Sequence, residues 1–284
     1  MSQIKKIHPG EYRPIADLIT YSPMPTRQLQ QIDPFIFLNH HGFQTYPAPN
    51  NGLPFGPHPH RGMETVTFIL EGDIMHLDSS GHESVIGPGG VQYMTAGSGL
   101  IHSEVSSSEF KKNGGDLEIL QLWLNLPAKL KMTDPLYVGL QKEEIPSFTL
   151  DEGKVTVQQL FGEWNGVKGA FKESFPLTMS TIYIKEGGTF KKQIPASDNI
   201  FFYIVRGELK VNGQSVPFRN LVEFESGEVD LEVTASSDAI LILGHAQPFN
   251  EPMVAQGPFV MNTEEEIHQA YEDYRNGKFG SWNH

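Results

Sequence analysis

Residues 55–72, FGPHPHRGMETVTFILEG, and residues 91–104, VQYMTAGSGLIHSE, decide how this chain is read. Each block holds a pair of metal-type donors spaced i, i+2: His58 with His60, and His102 with Glu104. In a β-strand that spacing puts both side chains on one face. Two such strands side by side can close four donors on one ion, and three imidazoles with one carboxylate suit a borderline divalent transition metal. A lone His-x-His more often sits on a solvated strand or loop, so the weight rests on the surroundings. Here Thr65 to Leu70 is an apolar β run closed by Glu71-Gly72, and Gly87-Pro88-Gly89-Gly90 is a turn. The run from Tyr93 to Ala96 then leads through Gly97-Ser98-Gly99 to His102.

The bounds set by composition agree with a metalloprotein of ordinary core. At 284 residues the chain has room for one large domain or two of common size. It has no cysteine, so disulfides and thiolate sites are excluded and any metal must use His, Asp, Glu or main-chain oxygen. A net charge of −13 argues against a direct nucleic-acid binder and against membrane-surface partners, since phosphate contacts need a basic face. The first residues lack the apolar run of a signal peptide and no segment approaches a membrane span, which predicts a cytoplasmic protein.

Along the chain the pattern is all-β. Prolines at 23, 25, 34, 47 and 49 exclude a long early helix, and Phe35-Ile36-Phe37-Leu38 reads as a buried strand followed by His40 and His41, both taken as structural. From 55 to 126 short apolar runs are punctuated by glycines at barrel-like spacing, with Leu117 to Leu124 a clear late strand. His76 and His82 fall in the hairpin between the two blocks and read as surface or turn residues. The stretch from Lys129 to Pro146 reads as a connector. The second half repeats the first: Tyr203 to Glu208 lines up with Phe68 to Asp73 at an offset of 135 residues, and Asn212-Gly213 is a hairpin turn. The same offset carries His58 to Gln193 and His60 to Pro195, and His245 stands alone, so the second copy reads as lacking metal ligands. Near the end Thr263-Glu264-Glu265-Glu266 is a capping box that opens a helix, with Ile267, Ala270, Tyr271 and Tyr274 on one face and Gly277 as its stop.

Histidine pair, strand, glycine turn, strand, glycine, histidine is the order of the cupins. The resemblance reaches a particular family. His58-Pro59-His60-Arg61-Gly62-Met63-Glu64-Thr65-Val66 and Met94 to Glu104 resemble the two signature blocks of the pirin family, as do Asp33-Pro34-Phe35 and Gly257 to Thr263. The resemblance covers nearly the whole chain and implies two cupin (double-stranded β-helix, jelly-roll) barrels in tandem with a short C-terminal helix. The expected division is 1–130 for a metal-bearing barrel, 131–150 for a connector, 151–250 for a metal-free barrel and 251–284 for a tail. The family pattern has Asp-His-Phe where this chain has Asn39-His40-His41.

The resemblance also implies a site and a reaction. Metal ligands would be His58, His60, His102 and Glu104, the last matching the family's fourth ligand. Glu64 is the rival carboxylate, because many cupins take theirs from the first block. Its parity agrees with His58 and His60 only on an unbroken strand, Gly62 offers a place for a bulge, and the spacing back from Gly72 points to Thr65 instead. Glu64 is therefore read as a neighbour of the metal set or of the substrate. Bacterial pirins are commonly described as quercetin 2,3-dioxygenases. This implies one divalent metal per chain, with Fe(II) favoured and Ni, Co, Mn or Zn compatible, and a flavonol-like aromatic substrate opened by O2. Glu104 would act as the base, with Phe43, Phe55, Met63 and Met94 as wall residues. The alternative class is a metal-dependent regulatory protein with a protein partner and no turnover. A cupin isomerase rests on fold alone.

Overall fold

The structure, a computed structural model, describes residues 3–284. The chain gathers into two compact units that interleave along the sequence. One contains Tyr12–Thr20, Ile36–Glu143 and Phe249–His284, and is called here the first barrel. The other, the second barrel, contains the stretch up to Glu11, Tyr21–Phe35 and Glu144–Pro248.

In the first barrel the larger sheet includes, in hydrogen-bonded order, Leu136–Leu140, Val91–Thr95, Met63–Glu71, Gly115–Asn125 and Phe35–Tyr46. The smaller sheet runs Phe55–His60, Leu100–Val105, Ile74–Asp78 and Glu83–Ile86. Ile69, Leu117 and Ile119 of the larger sheet pack with Ile74 and Ile86 of the smaller one. Met63–Glu71 is buried on both faces until its last residue, as a central strand with near-continuous β-branched and aromatic character should be. The stretch read as a connector carries the edge strand Leu136–Leu140, and Lys131 inside it is fully buried.

The second barrel repeats this plan. Its larger sheet runs Ile4–Pro9, Asn220–Phe224, Asn199–Arg206, Ala239–Ala246, Leu177–Ile184, Val155–Phe161 and Ser147–Leu150. Its smaller sheet runs Thr189–Ile194, Val229–Ala235, Glu208–Val211 and Gln214–Pro217. The N-terminal strand Ile4–Pro9 takes the place beside Asn220–Phe224 that Leu136–Leu140 takes beside Val91–Thr95 in the first barrel. The turns that close the two central strands match as well: Gly72 and Gly207 stand at the 135-residue offset with φ of +78° and +79°, a region that glycine enters without strain. The interior of this barrel is one apolar cluster, each of whose larger side chains stabilises the fold by about 1.5–3 kcal/mol on burial.

The tail forms a hairpin, Val254–Gln256 with Phe259–Met261, and then the helix Glu264–Arg275. Both halves of the capping box are made: the Thr263 hydroxyl accepts from the Glu266 amide, and the Glu266 carboxylate accepts from the Thr263 amide. Ile267 and Ala270 bury against Phe259, Met261 and Phe279. The inward face differs from the expected one, because Asp273 is buried there while Tyr274 is exposed. Among the described residues no helix is long and apolar enough to cross a membrane.

Candidate metal centre

Neighbouring strands of the smaller sheet present the imidazoles. His58 and His60 stand on Phe55–His60, and His102 on Leu100–Val105. The ladder sets His102 opposite His58 and Leu100 opposite His60. Ring centroids are 4.4 Å apart for His58 and His102, and 5.0 Å for each of the other two pairs. One nitrogen from each ring lies within 4.8 Å of the other two, and this is the only such donor group found among the described residues.

The hydrogen bonds aim the rings. The Nδ1–H of His60 donates to the Pro258 carbonyl at 3.1 Å, and that of His58 to the Gly56 carbonyl at 2.7 Å. This leaves Nε2 of both rings as lone-pair donor, the usual way a neighbouring carbonyl fixes the tautomer of a metal-binding histidine. Nε2 of His60 and both nitrogens of His102 are buried without any hydrogen-bond partner. An orphaned buried polar atom costs about 1–3 kcal/mol, so the cluster calls for an external group. Neutral imidazoles fit a borderline divalent transition metal.

Burial, then the neighbouring imidazoles, holds both inner rings neutral. His60 is pushed down to about 3 by burial and next by His58, against the pull of the Pro258 carbonyl. His102 lies well below the usual histidine range from burial and then from His60, His58 and His76. His41, hydrogen-bonded with Thr20 Oγ1 at 2.8 Å, is likewise pushed down to about 3 by burial and then by His40. His60 and His41 titrate near 6.5 in the unfolded chain, which therefore binds protons that the folded chain does not between pH 6.5 and about 3. Stability is fully present above that window and is lost as pH falls through it. The Tm of metal-free protein should decline from about pH 6.5 to about 4, and His41→Gln should flatten the decline by about one proton. Equal slopes for the two proteins would show that His41 is charged in the fold.

The carboxylates have separate positions. Glu104 lies two residues beyond His102 on the same buried strand, but its carboxylate lies outside the 4.8 Å donor group. Its Oε1 accepts from Thr67 Oγ1 at 3.0 Å, and its other oxygen accepts from the Gln121 amide. Glu64 is on the other sheet, since the chain leaves Phe55–His60 at Arg61 and Gly62 and enters the larger sheet at Met63. The parity that linked Glu64 to the histidines is lost at that break. Gly62 makes the break with φ of +77°, and a Cβ there would meet the Val260 carbonyl oxygen at 2.0 Å. Glu64 Oε1 accepts from Tyr93 at 2.6 Å and from Thr95 at 2.8 Å.

The tail braces the first histidine block. Arg61 donates to Asp273 at 2.8 Å and to the Ser98 carbonyl at 2.7 Å, and its guanidinium lies 4.6 Å from the Phe279 ring centroid. Hydrogen bonds from Lys278 first, and then from Arg61, hold the Asp273 carboxyl well below the usual range. The buried Lys131 ammonium donates to the carbonyls of Gly62 and Val260 and to the Asn125 side chain, at 2.9, 3.0 and 2.6 Å. Burial pushes it down to about 8. Neither Asp273 nor Lys131 carries a local signal in the sequence.

Other histidines sort by their partners. His40 donates to Glu118 at 2.9 Å, and His245 to Asp198 at 2.7 Å. His76 is not the surface residue that its hairpin position predicts. It is buried, stacked on Tyr137 at 3.7 Å, hydrogen-bonded to Asp78 at 3.0 Å, and 5.5 Å from the His102 ring. The expected wall residues also divide: Phe43 is exposed, while Met63 and Met94 pack in a cluster with Ile36, Leu100 and Tyr137. Trp123 lies beside the triad, its ring 5.1 Å from that of His60 and stacked on Phe37 at 4.4 Å.

Two double-sheet barrels, with a histidine triad in the first, define a two-domain cupin. Residues 17–124 match the pirin family, and residues 179–280 match the pirin C-terminal cupin domain. A Pseudomonas aeruginosa protein carrying the provisional name quercetin 2,3-dioxygenase is 35% identical over 95% of this chain and 93% of its own. Rat pirin is 36% identical over 89% of this chain and 84% of its own. The crystal structure of quercetin 2,3-dioxygenase from Acinetobacter baumannii superposes with a TM-score of 0.90 at 32% identity, over 99% of each chain. The chain belongs to the pirin family.

Proposed function

We propose that the first barrel is a metal-dependent dioxygenase site that opens the ring of a flavonol such as quercetin with O2. One divalent transition metal would be held by His58, His60, His102 and Glu104, with Fe(II) the favoured ion. The observation that carries this reading is the convergence of three imidazoles, of which His60 Nε2 and both nitrogens of His102 are buried without hydrogen-bond partners. The names of the Pseudomonas and Acinetobacter relatives support the reaction class.

A bound divalent ion would supply Lewis-acid polarisation of the hydroxyl–carbonyl pair of the substrate. The protein's own groups do the rest. The Pro258 and Gly56 carbonyls fix the ring orientation of His60 and His58. Thr67 and Gln121 orient the Glu104 carboxylate, which takes the proton of the substrate hydroxyl. Trp123 and Phe37 offer a stacked aromatic wall for a flat polyphenol.

The test is anaerobic reconstitution with Fe(II), Ni(II), Co(II) and Mn(II) in turn, followed by admission of air with quercetin present. Flavonol loss is expected with at least one ion and not with His60→Ala. If no ion gives loss above that control while a partner protein binds in a metal-dependent way, the regulatory reading replaces this one.

A further inference from the structure

The repeat supplies an internal comparison that singles out one more residue. The register of each ladder pairs positions between the two barrels. Thr67 faces Gln92 on one side and Gln121 on the other, as Phe202 faces Val222 and Leu243. Glu104 faces His76 as Val233 faces Val211, and His102 faces His58 as Leu231 faces Lys192. His60, opposite Leu100, corresponds to Ile194, opposite Val229. The constant offset of 135 is therefore one residue too long for this strand, and Lys192 and Ile194, not Gln193 and Pro195, stand in the places of His58 and His60.

Several interior polar residues of the first barrel thus have apolar counterparts in the second, His76 with Val211 and Thr65 with Ile200 among them. For His60, Thr67, Gln92, His102, Glu104 and Gln121 stand Ile194, Phe202, Val222, Leu231, Val233 and Leu243, all within one core cluster. Five of these last six already have work in the metal centre: two imidazoles, one carboxylate, and the two groups that orient it. Gln92 is the sixth. It is buried, and neither its Nε2 nor its Oε1 has a hydrogen-bond partner. A buried amide unmet at both ends is among the costlier features a fold can keep, and the second barrel shows that an aliphatic side chain fits this position.

We infer that Gln92 is a substrate-contacting residue, whose amide donates to the carbonyl of the molecule held beside Glu104 and accepts from a second hydroxyl next to that carbonyl, not the one whose proton passes to Glu104. This rests on the reading of the first barrel as a flavonol site and names the residue that selects the vicinal hydroxyl–carbonyl pattern. A neighbouring hydroxyl and carbonyl is the ligand chemistry that satisfies both ends of one amide.

The experiment compares wild type, Gln92→Leu and Gln92→Glu, each loaded with Ni(II) and kept anaerobic. Metal content is read by elemental analysis, quercetin affinity by the shift of its absorption band, and Tm without quercetin by calorimetry. Gln92→Leu is expected to keep its metal, to rise in Tm by about 2 °C, and to bind quercetin on the order of tenfold more weakly. Gln92→Glu keeps the acceptor and should lose less affinity for quercetin than Gln92→Leu. Unchanged quercetin affinity in Gln92→Leu, or a fall in its Tm, overturns the inference, since the amide would then be neutral to the ligand or structural. Binding is read without O2, so a protein that binds quercetin but never consumes it overturns the dioxygenase reading and leaves this one standing. A wild type that binds no quercetin overturns both.

Discussion

His102→Ala is expected to leave the protein folded and without metal. His102 is the ring that both His58 and His60 approach, at 4.4 and 5.0 Å, and it makes no hydrogen bond through either nitrogen. Its removal deletes one of three convergent donors and creates no unpaired partner elsewhere. Elemental analysis of wild type should give one equivalent of divalent metal per chain, because the described residues contain one donor group. The variant should fall below about a tenth of an equivalent, in line with the steep dependence of affinity on ligand count. Two equivalents in wild type, or retained metal in the variant, would mean that the ion sits elsewhere.

The second large effect separates the two carboxylates. Glu104→Gln should lose metal affinity and quercetin turnover together, with turnover down by about 10²–10⁴-fold as for removal of a proton-transferring group. Glu64→Gln should keep the metal. Glu64 is already engaged by Tyr93 and Thr95 on the other sheet, while Glu104 shares a strand and a face with His102. The opposite pattern, an empty site in Glu64→Gln and a filled one in Glu104→Gln, would exchange the roles assigned to them.

What could be read in advance is what is local. The histidine pairs, the glycine-punctuated strands, the repeat and the capping box at Thr263 all depend on spacing within a few residues, and strand and helix periods translate such spacing directly into faces. What escaped depends on partners far along the chain. His76 looks like a hairpin residue until Tyr137 stacks on it. Asp273 looks like a solvated helix residue until Arg61 reaches it. Lys131 looks like connector charge until three acceptors close round its ammonium. Glu64 has the right parity only if the backbone runs straight through Gly62, and the close approach that prevents this comes from Val260, at the far end of the chain. Gln92 sits in an ordinary strand, and only the ladder register shows that its counterpart is a valine.

The placement of the tail has a consequence for how the protein is made. Arg61 and Asp273 are separated by 212 positions and His60 and Pro258 by 198, yet each pair is in direct contact within the first barrel. Closing such long loops adds little to the equilibrium cost, because that cost grows only logarithmically, but it slows the search. A ribosome that has delivered His58, His60 and His102 has not yet delivered the carbonyl that orients His60 or the carboxylate that anchors Arg61. The donor set therefore gains the contacts that orient it only after Pro258 and Asp273 have been translated, and a shorter nascent chain carries the three histidines without them.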